Sequence, residues 1–365
     1  MCSSDLSCRK SFYESGRLKV RWRVILAVVA LAAGARLAPA QNEVFVTDQQ
    51  DGLIQQLRRA RGVSDNCPPL WQGSVDALML WQGNIASVPV FYDAADQVAV
   101  DANDAQPSMT AGPRYTLMRQ IGECHALEGS YFNVRSFSGA AALPATGGPF
   151  RINDTLGQLP AFGDPQSGQL LTKSQIQSAE LNWRTWNGGI FQWLAGFRWV
   201  EWDQQANIGY AYANTDTGAS GDASLTSRSG NNLYGGQVGA DAMLWNNGGP
   251  WRVNAVGKAG IFYNSGAYQR SAAVFTDNVG NPPDVYTANA TTDKTAFVGE
   301  IGVNASYSVN KWLALRAGYN VYWLSGVANA VEQLKVTDLS QGTARVDTGG
   351  SVLLHGVTTG LEARW

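Results

Sequence analysis

Charged side chains set at alternate positions of otherwise apolar segments are the feature of this sequence best placed to do chemistry. Glu128, Glu180, Arg184, Arg198, Asp241, Arg252, Lys258, Glu300, Arg316, Glu362 and Arg364 share this setting. Both signs are present, so two roles are open: a charge-lined conduit that selects solutes, or a salt-bridge network that fills and stiffens an enclosed space. Acid–base and metal chemistry have less to draw on. Histidine occurs only at 125 and 355, and no His-Glu-x-x-His zinc pattern is present. Neither a Gly-x-Ser-x-Gly elbow nor a phosphate-cradling Gly-x-x-x-x-Gly-Lys loop occurs. Asp93, Asp96, Asp101 and Asp104 crowd one segment, and hard cations favour carboxylates, but the glycine and final glutamate of an EF-hand loop are missing. That segment reads as a solvated acidic loop. No cofactor or metal site is expected.

Where those residues sit depends first on the chain's destination. Arg17, Lys19, Arg21 and Arg23 precede an apolar run from Val24 to Ala35, and small residues end in Ala38-Pro39-Ala40. This order reads as a secretory signal over 1–40, since the run is too short to span about 30 Å of hydrocarbon as a helix. Residues 1–16 make a long leader, and Met1–Leu6 resembles a translated adapter scar, which puts the natural start further along. Removing 1–40 takes seven of the 27 basic and two of the 29 acidic residues, leaving a net charge of −7. An acidic exported chain is a poor partner for nucleic acid, whose phosphates require a basic surface. Export also favours disulfides, so Cys67 and Cys124 could be bridged if their Cα atoms come within about 7 Å.

Composition narrows the class. Charged residues are 15% of the chain, against about 25% in an average soluble protein, and 40 glycines, 13 tryptophans and 13 tyrosines accompany them. A soluble two-domain enzyme would carry more charge, and a disordered chain fewer aromatics. No stretch beyond residue 40 offers about eighteen consecutive apolar residues.

What recurs is an alternation of period two, the signal of a strand. Leu353, Val357, Thr359, Leu361, Ala363 and Trp365 share one face of the last segment, and Gly356, Thr358, Gly360, Glu362 and Arg364 the other. Segments ending near 323, 307 and 263 repeat the design, and further strands are expected near 231–245, 190–206, 173–186, 124–137, 113–121 and 71–82, ten in all. Short turns at 122–123, 187–189, 246–249 and 310–311 alternate with long connections at 83–112, 138–172, 207–230, 266–294 and 326–352. That rhythm belongs to antiparallel outer-membrane barrels, with short periplasmic turns and long external loops. A soluble barrel of the lipocalin kind is the rival, with its apolar residues turned inward.

Aromatic placement favours the membrane. Trp71, Trp186, Trp245, Trp251, Trp312 and Trp365 lie near short turns or a terminus, and Trp81, Trp199, Trp202, Tyr263 and Trp323 near the opposite strand ends. Two such belts match interfacial girdles, where amphipathic rings sit at headgroup level. The last residue, Trp365, is expected to serve as a signal for the outer-membrane insertion machinery.

Several blocks carry a family resemblance. Leu127–Phe132 (LEGSYF), Ala179–Arg184 (AELNWR), Leu194–Trp199 (LAGFRW), Tyr234–Gly239 (YGGQVG) and Gly360–Trp365 (GLEARW) are similar, in order, to blocks of beta-barrel porin family 7. The resemblance covers about residue 70 to the end and implies an outer-membrane barrel, without fixing an activity.

The expected protein is therefore all-β: a closed antiparallel transmembrane barrel of about ten strands over 70–365, in the outer membrane of a Gram-negative cell. A segment over 41–69, with Leu53, Ile54 and Leu57 at helical spacing, precedes it on the periplasmic side. Eight strands give an interior just filled by side chains, and open porins use sixteen to eighteen. Ten therefore favour a filled lumen and a non-enzymatic structural or surface role, with a narrow passive channel as the alternative. A surface enzyme of the omptin kind ranks third. His125 falls at a short turn, on the wrong side, and His355 has Asp347 as its nearest upstream carboxylate. Partners are expected to be outer-membrane lipid and the insertion machinery.

Overall fold

The computed structural model describes residues 70–365, apart from 84, 123, 145–149, 159–163, 187–189, 214–219 and 278–280. The chain divides into two units, Met1–Asp65 and Asn66–Trp365, and every described residue belongs to the second. The leader, the 41–69 segment and Cys67 lie outside the described residues.

Ten strands form the body: β1 (Trp71–Gln82), β2 (Thr110–Gln120), β3 (His125–Ala142), β4 (Asp164–Trp186), β5 (Phe191–Ala213), β6 (Ser220–Asn246), β7 (Trp251–Asp277), β8 (Asp284–Ser308), β9 (Leu313–Val327) and β10 (Gly350–Arg364). Each pairs antiparallel with its chain neighbours, and β1 bonds to β2 on one side and β10 on the other. The ring is closed, so at the level shared by all ten strands there is no sheet edge with unpaired backbone groups. Its seam is tight at the terminal strand: the Trp71 N–H donates to the Trp365 carbonyl at 2.8 Å, the reverse bond is 3.0 Å, and the two indoles stack. Short turns use the chemistry their sequences offer. Asn310 Oδ1 accepts from the N–H groups of Trp312 and Leu313, and Gly248 takes φ +78°.

Side-chain parity sets the two faces of the wall. From Trp251 to Tyr263 the outward positions are apolar, including Ile261 at 71% exposed, as are Val238 at 64% and Ile301 at 67% on the flanking strands. Such a run covers about 40 Å of strand, or about 30 Å along the axis at a tilt near 40°. Inward positions at the same level are polar: Asp76, Glu128, Asn182, Arg198, Gln237, Glu300, Asn304 and Glu362 are all buried. This is the reverse of a soluble barrel.

Beyond that band the faces exchange character. On β5 the apolar residues Phe191, Trp193 and Phe197 point outward, whereas Val200, Trp202, Ala206, Ile208, Tyr210 and Tyr212 are buried. Hence the long connections expected at 207–230 and 266–294 are corrected: most of their residues extend β5 to β8, leaving only 214–219 and 278–283 between strands. The 138–172 connection shrinks to 143–163 for the same reason. Bulges at Ser136 (φ +68°), Gly266 (φ +61°) and Gly326 (φ +82°) mark this change of level on β3, β7 and β9.

Strands β4 to β8 run 23 to 27 residues and stand taller than β1, β2, β9 and β10, which run 11 to 15. The two remaining long connections, 83–109 and 328–349, do not project as polar loops. Val88, Val90, Phe91, Val100, Ala330, Val331, Leu334 and Leu339 from them pack into one core with Ile208, Leu225 and Phe275 of the tall wall. A small sheet (Pro89–Tyr92, Val98–Asp101, Arg151–Ile152) supplies Val90, Phe91 and Val100, and a helix, α1 (Ala330–Leu334), supplies Ala330, Val331 and Leu334. Wall amides bind the second connection: Asn231 receives the Ala328 N–H at 2.7 Å and donates to its carbonyl at 3.0 Å, and Gln204 accepts from the Ala330 N–H at 3.0 Å. Lower in the same connection, the hydroxyl of Ser340 and the Gln341 N–H hold the Asp338 carboxyl below its ordinary range.

Candidate functional site

The inward faces converge on a charge network at the level of the outer apolar band. Arg198 donates to Glu300 at 2.7 Å and Lys258 to Glu180 at 2.6 Å. Each pair joins strands three apart around the ring, so both cross the lumen. Lys258 also stands 3.9 Å from Glu300, which ties the two pairs together. Nearer the short turns, Arg184 contacts Glu128 at 2.8 Å and Asp241 at 3.4 Å. Glu362 gathers Arg316, Arg252 and Arg364.

Neutral groups take up the remaining lone pairs. Gln237 donates to Glu180 and Asn182, Asn182 to Glu128, Asn254 to Asp241, and Arg198 to Ser178. A charge taken out of water costs several kcal/mol unless it is paired and hydrogen-bonded. The pairing seen here offsets much of that cost, although Arg184 Nε and Arg252 Nη2 have ion-pair contacts without a well-formed hydrogen bond.

All eleven charged residues singled out from the sequence enter this network. Two more belong to it: Asp76, paired with Arg114 at 3.3 Å and reached by Arg316 at 4.0 Å, and Arg114, which also donates to the Tyr322 hydroxyl at 3.3 Å. Asp76 escaped notice because the inward face of β1 reads Ser74, Asp76, Leu78, Leu80, mixing both levels of the lumen in one short strand. Above the charges, Leu78, Leu80, Phe132, Phe137, Trp202, Leu233, Phe262 and Tyr322 form a buried apolar layer. Exposure within the network rises toward the short-turn end: the side chains of Arg252 and Arg364 are 25% and 21% exposed, those of Arg198 and Glu300 3% and 6%.

The aromatic residues divide. Trp245, Trp251, Trp312 and Trp365 near the short turns, and Trp81, Tyr263 and Trp323 opposite, are exposed on the outer face, with Trp71 half-buried beside Trp365. Trp186, Trp199 and Trp202 are corrected: none is an exposed girdle residue. Trp186 and Trp202 share parity with Arg184 and Arg198 and so point inward. Trp186 packs on Met118 and Ala126. Trp199 has outward parity, but neighbouring side chains cover it, and its β-partners are Ala179 and Tyr234. Nearness to an expected strand end misled, because β5 runs on to Ala213 and leaves Trp199 and Trp202 in mid-strand.

The other candidates have plain surroundings. His355 has outward parity on β10, not a place at a loop base. Its Nδ1 lies 2.7 Å from the Tyr319 hydroxyl, and its ring stacks on Trp81. His125 sits at a short turn against Trp183. Asp93 accepts from Ala95 and Gln97 N–H groups, Asp101 and Asp104 cap a short 3-10 turn, and Asp96 pairs with Arg151. No group of three or more His, Cys, Asp or Glu among the described residues could hold a metal. Cys124 packs beside Trp186, and its possible partner Cys67 lies outside the described residues.

A closed ten-stranded barrel, greasy outside and ion-paired within, defines the class. The chain matches the family described as Putative beta barrel porin-7 over residues 94–365, and it belongs to that family of outer-membrane β-barrels. No curated protein matches it. Solved structures similar to it include the outer membrane protease OmpT from Escherichia coli, with TM-score 0.41, 11% identity, and 81% of this chain and 96% of that one covered. The P. putida toluene transporter TodX gives 0.35 at 10% identity, covering 83% and 94%. The translocator domain of the autotransporter NalP from Neisseria meningitidis gives 0.35 at 11%, covering 87% and 96%.

Proposed function

We propose that this protein is a non-enzymatic barrel of the outer membrane, with a lumen filled by its own side chains and a structural or surface role. One observation carries the reading. The Arg198–Glu300 and Lys258–Glu180 pairs cross the lumen at 2.7 and 2.6 Å. A conducting pore needs water along its axis, and here the axis is occupied by salt bridges with an apolar layer above. An apolar band about 30 Å tall matches the hydrocarbon thickness of a bilayer, which supports a transmembrane placement with the short turns in the periplasm. Lipid is the proposed partner of that band. The insertion machinery is the proposed partner of the terminal strand, through Trp365. The acidic balance speaks against nucleic acid.

A narrow passive channel is the second reading, favoured by the partial exposure of Arg252 and Arg364 at the short-turn end. Planar-bilayer recording on the refolded protein separates the two. We expect no unitary current, and none after serine replaces both Arg198 and Glu300, because the apolar layer above them remains. A stable unitary current in the unmodified protein would instead establish the channel. A surface enzyme stands third, since His355 faces outward between Trp81 and Tyr319 rather than toward a carboxylate.

A further inference from the structure

From charge, register and unmet hydrogen bonds at the short-turn end of the lumen, we infer that Arg252, Arg316 and Arg364 bind a soluble phosphate, free or as a monoester. The inference rests on the filled lumen proposed above, which closes this mouth from within. Arg252 on β7 and Arg316 on β9 both pair in register with Ser306 of β8, one from each side, so the two side chains leave the wall at one level. They approach the same carboxylate from different oxygens: Arg252 lies 3.7 Å from Glu362 Oε1, and Arg316 3.6 Å from Oε2. Glu362 is already engaged, since Arg364 and Gln72 donate to it.

Three guanidiniums therefore share one carboxylate, and the other acids nearby do not redress the balance. Asp76 is held by Arg114 at 3.3 Å and stands 4.0 Å from Arg316. With that pair counted in, four cations face two carboxylates. Glu128 and Asp241 face Arg184 instead, and the charges that act on Arg252 are those of Glu362 and Arg316. The terminal carboxylate belongs to Trp365, which has outward parity and accepts from the Trp71 N–H at 2.8 Å. The turns beside the cluster, 247–250 and 309–312, contain Lys311 and no acid.

Hydrogen bonding is equally unbalanced. Among the described residues neither Arg252 nor Arg316 makes a hydrogen bond to a protein acceptor, and Arg252 Nη2 is buried without a partner. Each guanidinium has five N–H donors. Their side chains are only 25% and 19% exposed, and charges so far out of water are costly unless paired and hydrogen-bonded.

This imbalance selects the occupant. A single carboxylate or halide would neutralise only one charge, whereas a phosphate carries about −1.5 to −2 near neutral pH and offers three strong acceptor oxygens. Planar guanidinium forks converging from β7 and β9 suit that ligand. A phospholipid of the bilayer cannot supply it, because these side chains point into the lumen and lipid lies against the outer face.

The test is equilibrium dialysis of radiolabelled inorganic phosphate against detergent-folded protein at fixed ionic strength. We expect saturable binding of one phosphate per chain that acetate does not displace. Displacement by glycerol phosphate shows that a monoester fits, and its failure restricts the site to the free ion; both support the site. Arg252→Gln with Arg316→Gln should weaken binding about tenfold or more per guanidinium removed, the loss of a charge-assisted contact each time. Should that variant fail to fold, Arg252→Gln alone reads the loss. In phosphate-free buffer Arg252→Gln should unfold in urea no more easily than the unmodified protein, because it removes surplus charge, whereas a purely structural arginine would give an earlier midpoint. Absence of saturable binding, equal binding by the variants, or displacement by acetate overturns the proposal. A unitary current in the bilayer recording would overturn the filled lumen and leave the dialysis result standing, so the two failures are distinct.

Discussion

Replacing Glu300 by alanine should destabilise the barrel by about 3–5 kcal/mol, the cost of leaving a buried charge without its partner. Arg198 is the group left stranded: its side chain is 3% exposed, and after the change it keeps the Ser178 hydroxyl, the distant face of Tyr322 and the attraction of Glu180, whose carboxylate Lys258 already holds. Removing Arg198 instead should cost less, because Glu300 retains Lys258 at 3.9 Å. A double change, Arg198→Met with Glu300→Leu, should recover most of the loss, since an apolar pair of similar volume replaces the ions without stranding either. Urea unfolding of vesicle-folded protein gives the midpoints. Equal midpoints for Glu300→Ala and the unmodified protein would mean that the lumen is wet and the charges solvated.

The second large effect lies on the opposite face. Ile301 is 67% exposed, and on a protein surface in water its replacement by arginine would change stability within about 0.5 kcal/mol. Facing the middle of a bilayer, the same change should cost about 2–4 kcal/mol. Ala305, further along β8 toward the short turn, of the same parity as Ile301 and half-buried, offers a companion site for Ala305→Arg, where nearness to the interface and snorkelling reduce the penalty. A cost at Ile301 no greater than the surface value would show that this face meets water. The two experiments probe the same wall from its two sides, and an inverted barrel would fail both.

The lower half of this molecule was open to reading in the sequence. Along β7, Trp251, Val253, Ala255, Ala259, Ile261 and Tyr263 alternate with Arg252, Asn254 and Lys258, and a closed wall leaves that pattern one economical solution. Period two also fixed the side of eleven charged residues, so all the network members but Asp76 and Arg114 can be read from the sequence. Two things hid the rest. First, the apolar face changes sides at Val200 on β5, so an alternation followed in one phase breaks off there. Buried Ile208, Tyr210 and Tyr212 carry the same period in the opposite phase, and reading both phases would have extended the strand. Second, Val88, Val90 and Phe91 form a short apolar patch inside a polar connection, and nothing local announces that a distant wall will cover it. Trp202 shows the same limit from the other side: an aromatic near a presumed strand end looks like a girdle until parity is applied.

The most direct single measurement is gel mobility before and after boiling, performed on separated cell membranes. A sealed barrel with lipid on its outside should be recovered with the outer membrane, and should migrate faster unboiled than boiled because the ring survives detergent. Recovery in the soluble periplasm, or one mobility in both lanes, would contradict the account.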